Sequence, residues 1–217
     1  TVGAVNDALQ LRGISKEAAL RCTDKNRFHK ISSKQGLNRP RQQTVYSGED
    51  LHQAIRAFGL PCILKPRRGS GSKGVVVIHD YLQVEQAVQE HLNHVHGDDT
   101  LTEEFLIGRE FGIDAAVIRG SFQPVLIREK ELTPLPYRQA VGLFTPPRLH
   151  NDERDAILEQ TRLCAKAIGL NDCLVNADVV LAEDGQAYVL EITGRPAGLH
   201  VSSKIIPYAT GIPFLKE

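Results

Sequence analysis

The chain has 217 residues, 41% hydrophobic and 24% charged, with 26 basic and 26 acidic side chains and a formal net charge of zero. Its length fits one substantial domain or two small lobes with a buried core, and its composition is that of an ordinary globular protein. Balanced charge argues against binding nucleic acid through bulk electrostatics, and no apolar run reaches the length that crosses a bilayer, so neither partner is expected.

Ser15 is placed to cap a short Ala-rich helix running to about Leu20, and Asp24 to cap a second one carrying Phe28 and Ile31, closed by Gly36. Ser47 and Asp50 resemble a capping box that opens a helix with Leu51, Ala54, Ile55 and Phe58 on its apolar face, ended by Gly59. A short apolar run at 62–65, a glycine stretch and a β-branched run at 75–78 follow. Val84, Val88, Leu92 and Val95 then recur at helical spacing. Strands are expected leading into Glu103 and over 111–118, with Gly120 turning the chain into 124–127. Residues 129–150 hold four prolines and no clear period, and read as a long loop. Asn151 or Asp152 is expected to cap a helix ended by Gly169. A hairpin closes the pattern: 174–181, a turn at Glu183-Asp184-Gly185, then 187–192. This interleaving points to an α+β fold and not to a doubly wound sheet.

The cysteines, Cys22, Cys62, Cys164 and Cys173, are scattered without a C-x-x-C pair. They read as buried, reduced thiols of a cytoplasmic protein. No signal peptide is evident at the start of the chain. His91, His94 and His96 lie near a helix end and read as packing or solvated surface ahead of metal ligation. The chain opens at Thr1 without an initiator and contains no Met, which is read as the mark of a partial record.

Gly69-Ser70-Gly71-Ser72-Lys73-Gly74 matches the dinucleotide pattern G-x-G-x-x-G. That motif works only where a helix follows at once, because the helix N-terminus supplies the amides that hold a pyrophosphate. Here Val75-Val76-Val77-Ile78 follows, a poor helix start and a good strand. No G-K-[ST] follows either, so the stretch is not a Walker A loop. The expected local structure is strand, glycine loop, antiparallel strand. Such a loop can cradle phosphates with its amides, with Lys65, Arg67, Arg68 and Lys73 adding positive charge, or it can be a plain solvated turn.

Asp178 and Glu191 fall on the two strands of the last hairpin, a placement that can bring both carboxylates to one face and suits a hard cation. Arg195 follows four residues after the second acid. An acid pair holding Mg²⁺ beside an arginine is what phosphoryl transfer requires.

These blocks together resemble the ATP-grasp superfamily over essentially the whole chain. Cys22-Thr23-Asp24-Lys25 resembles its D-K helix start. Pro61 to Pro66 with the glycines and Gly74-Val75 resembles its lysine strand and phosphate loop. Glu103-Glu104-Phe105-Leu106-Ile107-Gly108-Arg109-Glu110 resembles its hinge. Asn176-Ala177-Asp178 through Glu191 to Arg195-Pro196 resembles its metal hairpin. Within it the chain looks like the branch of carboxylate–amine ligases that join amino acids, near carbamoyl-phosphate-synthase-like and biotin-carboxylase-like domains.

The resemblance implies an ATP-grasp fold of two α+β lobes gripping the nucleotide. Residues 1–22 would be the end of a pre-grasp segment whose α/β domain is missing or present only as its tail; 23–102 would be the small lobe and 103–217 the large one. It implies ATP and Mg²⁺ as cofactors, with Mn²⁺ as an alternative. Lys25 and Lys65 would hold α- and β-phosphates, and Gly69, Ser70, Gly71, Ser72 and Gly74 would close over the β- and γ-phosphates. Glu103 would accept from the adenine amino group, backbone groups of Glu104, Phe105 and Leu106 would read the ring edge, and Glu110 would hold the ribose. Asp178, Glu191 and Thr193 would ligate metal, Thr193 standing where the family presents an Asn, and Arg195 would steady the transferring phosphoryl group or the acyl-phosphate. The implied activity is an ADP-forming carboxylate–amine ligase acting on an amino acid or similar small acid, with a small amine as co-substrate and oligomerisation left open. The alternative is an ATP-binding module with degenerate catalysis. Lys130, Arg138 and His150 in the expected loop, with His200 and Ser202 beyond Arg195, are the positions expected to select substrate.

Overall fold

The computed structural model describes residues 2–69, 71, 74–94, 99–135 and 139–215, apart from the side chains at 90 and 92–94. Two compact units divide them: one of residues 1–39, 108–130 and 143–217, the other of 40–107 and 131–142.

The smaller unit is built on a four-stranded antiparallel sheet. Its strands, β1 (Gln42–Val45), β2 (Cys62–Pro66), β3 (Val76–Ile78) and β4 (Thr100–Glu104), lie in the order β1-β4-β2-β3. Two helices numbered after those that precede them in the chain, α4 (Gly48–Phe58) and α5 (Val84–His94), pack on it. Leu51 and Ile55 of α4 and Val84 and Ala87 of α5 meet Cys62, Leu64, Val76 and Ile78 in one apolar cluster. Ser47 caps α4 as expected, its hydroxyl accepting from the Asp50 amide at 3.2 Å. The return bond of the capping box lands one residue further out: the Asp50 carboxylate accepts from the Tyr46 amide at 3.0 Å. β3 runs antiparallel to β2, with Leu64 opposite Val76, so a strand stands where a dinucleotide motif needs a helix.

The larger unit carries α1 (Val2–Leu9), α2 (Lys16–Thr23), α3 (Lys25–Lys34), β5 (Gly108–Ile118), most of β6 (Ser121–Leu132), the end of β7 (Ala140–Phe144), α6 (Asn151–Ile168), β8 (Cys173–Ala182), β9 (Ala187–Thr193) and the short α7 (Ile206–Thr210). Its strands belong to a five-stranded sheet ordered β7-β6-β5-β8-β9. One face is apolar: Phe111, Ile113, Ala115, Val175, Ala177, Val179, Val189 and Ile192 bury against Ile157, Cys164 and Ile168 of α6 and Phe28 of α3. Ser15 and Asp24 cap α2 and α3, Asp24 accepting from the Asn26 and Arg27 amides at 3.0 and 3.2 Å.

Three expectations differ from the structure. The long loop at 129–150 instead continues β6 to Leu132 and contains β7. Where the segment continues β6 it shows no apolar period because Lys130, like Arg128 just before it, faces the polar side of the sheet, where cross-strand ion pairs replace apolar contacts. Pro124, which cannot donate to a ladder, sits beside the irregularity where β5 and β6 shift register. The cap of α6 is His150 and not Asn151 or Asp152; the His150 amide donates to the Glu153 carboxylate at 2.7 Å. Residues 23–39, expected in the small lobe, group with the C-terminal unit because Phe28 buries in its core.

Gly108 opens β5 directly beside β8, and a Cβ there would run into the Leu181 carbonyl. Neither backbone can yield without opening the β5–β8 ladder. Gly108→Ala is therefore expected to destabilise the protein by about 1–3 kcal/mol, as overpacking against a rigid neighbour does; urea unfolding followed by circular dichroism measures it.

Candidate active site

The polar face of the larger unit's sheet gathers the acids named above. Asp178 of β8 lies opposite Glu191 of β9, and Asn176 opposite Thr193. This pairing depends on a bulge. From Asp178 to Val179 the register slips, Val179 pairing with Val189 and leaving Leu190 as the extra residue. Val189 and Ile192 are both buried in the core although they stand three positions apart, which a regular strand, alternating sides residue by residue, does not allow. The bulge resets the alternation and turns Glu191 to the face of Asp178.

β5 adds Glu110 and Asp114 to that face, and β6 adds Arg128 and Lys130. Asp114 is fully buried; one carboxylate oxygen accepts from Arg128 Nε at 2.6 Å and the other from the Asn176 amide at 3.3 Å. Burial pushes the Asp114 carboxyl above its ordinary range, with Arg128 and Asn176 pulling it back down. The guanidinium of Arg128 lies in the slot left by Gly112, where a Cβ would stand 2.7 Å from it; Gly112 in turn faces Asp178 on the next strand. Lys130 Nζ lies 2.8 Å from Asp178 and 4.0 Å from Glu110. Asp114 and Arg128 were not singled out from sequence. The alternation of Ile127, Arg128, Glu129 and Lys130 is the one signal that could have marked them.

Thr193 turns its hydroxyl to the Asn176 carbonyl, donating at 3.2 Å. Arg195 is exposed and donates to the neighbouring Pro196 carbonyl at 3.3 Å, with no ion pair to an acid among the described residues. Ser202 is buried and donates to the Ala197 carbonyl at 3.1 Å, while His200 is exposed. Lys25 is the first residue of α3 and half-buried.

In the smaller unit, Lys65 of β2 and Glu103 of β4 are diagonal neighbours across the ladder and form a buried ion pair through Glu103 Oε2. The other oxygen, Oε1, is buried with no hydrogen-bond partner among the described residues. Glu104 is clasped by Arg41, which donates from Nε and Nη2 at 3.0 and 3.1 Å and holds this carboxyl below its ordinary range. The Glu104 amide donates to the Arg41 carbonyl at 2.9 Å. Phe105 and Leu106 follow outside the strand, half-buried. Gly69, Gly71 and Gly74 all have positive φ, at +140°, +70° and +71°, a backbone that side chains rarely adopt. Ser70, Ser72 and Lys73 lie outside the described residues, as do Arg138, His96 and the side chain of His94. His91 is buried, its ring nitrogens 2.6 Å from the Gly74 carbonyl and 2.9 Å from Thr100 Oγ1, which makes it a packing residue.

The cysteines are unbridged. Burial pushes Cys22, Cys62 and Cys173 up to about 11 and Cys164 up to about 12, which leaves them protonated at neutral pH and poor nucleophiles. Among the described residues no group of three or more His, Cys, Asp or Glu side chains forms a metal cage of its own. Two opposed carboxylates are nonetheless a fitting donor set for Mg²⁺, which takes one or two protein carboxylates and completes its shell with phosphate and water. No described helix is long and apolar enough to cross a membrane.

A model of the ATP-grasp domain matches residues 58–203. The chain belongs to the ATP-grasp family. Among curated ATP-grasp relatives, it is 26% identical to the alanine–anticapsin ligase of Bacillus subtilis over 92% of this chain and 46% of that one. Among solved structures, the L-amino acid ligase from Bacillus licheniformis superposes with a TM-score of 0.85 at 27% identity, over 99% of this chain and 50% of its own. Biotin carboxylase from Campylobacter jejuni shares the ATP-grasp fold, with a TM-score of 0.82 at 19% identity over 98% and 49% of the two chains. The chain spans about half the length of the curated relatives it matches. Both the α+β class and the ATP-grasp fold expected from sequence are thereby met.

Removing Arg128 from this ATP-grasp sheet leaves a buried carboxylate without its countercharge. Arg128→Met is expected to cost about 3–5 kcal/mol at pH 7. The cost shrinks on acidification: the folded-state Asp114 carboxyl is raised above the unfolded one, so lowering the pH neutralises it first in the folded protein and relieves the penalty. Urea unfolding of both proteins between pH 7 and pH 4 measures the difference.

Proposed function

We propose that the chain is the nucleotide-binding part of an ATP-dependent carboxylate–amine ligase that forms a C–N bond and releases ADP and phosphate. The observation that carries the reading is the opposed pair Asp178 and Glu191, in an ATP-grasp chain whose relatives include an alanine–anticapsin ligase and an L-amino acid ligase. In the first step a carboxylate oxygen attacks the γ-phosphorus of ATP, the bond to the β–γ bridging oxygen breaks, and ADP leaves. In the second an amine nitrogen attacks the acyl carbon, the carbon–oxygen bond to phosphate breaks, and the nitrogen loses a proton as the amide forms.

The smaller unit supplies the groups for the base. Glu103 Oε1, buried and without a described partner, is an acceptor ready for the adenine amino group. Because the Glu104 amide is already committed to Arg41, reading of the ring edge falls to backbone groups of Phe105 and Leu106. Lys65, fixed against Glu103, and Lys25 hold phosphate oxygens as compact charges. The amides around Gly69, Gly71 and Gly74, with Ser70 and Ser72, wrap phosphate where positive φ lets the backbone come close. Glu110 holds the ribose. Mg²⁺ or Mn²⁺, held by Asp178 and Glu191, neutralises phosphate charge when bound. Arg195, exposed and without an acid partner among the described residues, steadies the transferring phosphoryl group. The acid is an amino acid or similar small carboxylate, the setting is cytoplasmic, and no nucleic acid or membrane takes part.

A second reading, a nucleotide-binding module with degenerate catalysis, is favoured by Thr193. Its hydroxyl is engaged with the Asn176 carbonyl, and its reach is shorter than that of the Asn which the family pattern puts there. Calorimetric binding of Mg-ATP without turnover, together with activity gained by Thr193→Asn, is the result that would select this reading.

The ligase reading predicts release of ADP and inorganic phosphate that depends on both an acid and an amine, in a screen of the full-length protein against pairs of amino acids and other small acids. Glu191→Gln is expected to lower turnover by roughly 100-fold or more, on the scale of removing one electrostatic stabiliser of a transition state. Release of AMP and pyrophosphate would overturn the reading.

A further inference from the structure

By its sequence, Lys130 stands among loop residues expected to select substrate. In the structure it belongs to β6, on the polar face of the sheet, with its ammonium 2.8 Å from an Asp178 oxygen and 4.0 Å from a Glu110 oxygen. Its side chain is 13% exposed and that of Glu110 12%, against 38% for Asp178. The ammonium is therefore held among carboxylates and is largely shielded from water, while Asp178 keeps an open side.

We propose that Lys130 is a positioning residue for the cation site: its ammonium occupies Asp178 in the nucleotide-free protein and competes there with a divalent metal ion. The inference rests on the metal-binding reading of Asp178 and Glu191 given above. Asp114 and Arg128 neutralise each other as a buried pair. Around them, Glu110 of β5, Asp178 of β8 and Glu191 of β9 share the face with the ammonium of Lys130.

A metal ion on Asp178 repels an ammonium at hydrogen-bond distance from the same carboxylate, so the two cannot share it at full strength. Glu110 lies on the adjacent strand, within reach of the same ammonium, and gives Lys130 a second carboxylate to move to. The consequence is an order of events. Without nucleotide, Lys130 holds down the affinity of the acid pair for metal. The ion then enters with the phosphates that supply the rest of its shell, and Lys130 shifts its weight to Glu110.

The test is a titration of Mn²⁺ into nucleotide-free, full-length protein, followed by electron paramagnetic resonance of the free ion. Lys130→Met is expected to bind Mn²⁺ roughly tenfold more tightly than wild type, the size of effect for removing one cation beside a partly exposed carboxylate. Lys130→Gln, uncharged but polar, is expected to do the same, which keeps the test open should the Met variant fold poorly. Lys130→Arg retains the charge and stays near wild type. Asp178→Asn and Glu191→Gln abolish the binding. If the acid variants abolish binding and neither neutral Lys130 variant tightens it, the role of Lys130 is overturned while the metal reading stands. If the acid variants leave Mn²⁺ binding unchanged, both fall.

Discussion

The bulge at Leu190 is the constraint on which the chemistry of this chain depends. β9 must bury Val189 and Ile192 in the core and still present Glu191 beside Asp178. A strand of strict alternation satisfies only one of these demands. One extra residue satisfies both, at the cost of a break in the β8–β9 ladder. The apolar face of the sheet supplies the stability that holds the opposite face, crowded with charge, in a fixed geometry.

That polar face is ordered by desolvation. Asp114 is the most deeply buried acid there, and Arg128 reaches it only because Gly112 leaves room for the guanidinium. The Asp114–Arg128–Asn176 set is a rigid backing whose charges cancel internally. Asp178 lies toward the more open part of the face, 38% exposed against 13% for Lys130, where its carboxylate can meet a ligand. Burying a charge pair of this kind seldom adds net stability compared with an apolar pair; what it provides here is a fixed position for Asn176, whose backbone carbonyl receives the Thr193 hydroxyl and whose neighbour but one is Asp178. In the smaller unit the same logic appears on a smaller scale, with Lys65 and Glu103 locked together and one Glu103 oxygen left over.

Much of this was legible in the sequence where the signal was local. Caps at Ser15, Asp24 and Ser47, the strand after the glycine loop and the closing hairpin all follow from short-range chemistry and were read correctly. The continuation of β6 beyond 127 was not, because its polar residues take their meaning from partners on β5 and β8 that are distant in sequence: Asp114 for Arg128, and Asp178 and Glu110 for Lys130. The cap at His150 was missed since histidine is not among the residues favoured there, and its helix start is marked instead by Glu153. The grouping of α3 with the C-terminal unit turns on the burial of Phe28, which a one-dimensional pattern shows as apolar without showing against what.

The most direct test of the ligase account follows an oxygen atom. An acid labelled with ¹⁸O in its carboxyl group, turned over with ATP and an amine by the full-length protein, should pass one labelled oxygen to inorganic phosphate, read by the isotope shift in the ³¹P spectrum. An acyl-phosphate route requires that transfer, since the carboxylate oxygen that attacks phosphorus leaves with the phosphate. Inorganic phosphate free of label, or label appearing in AMP, would contradict the account.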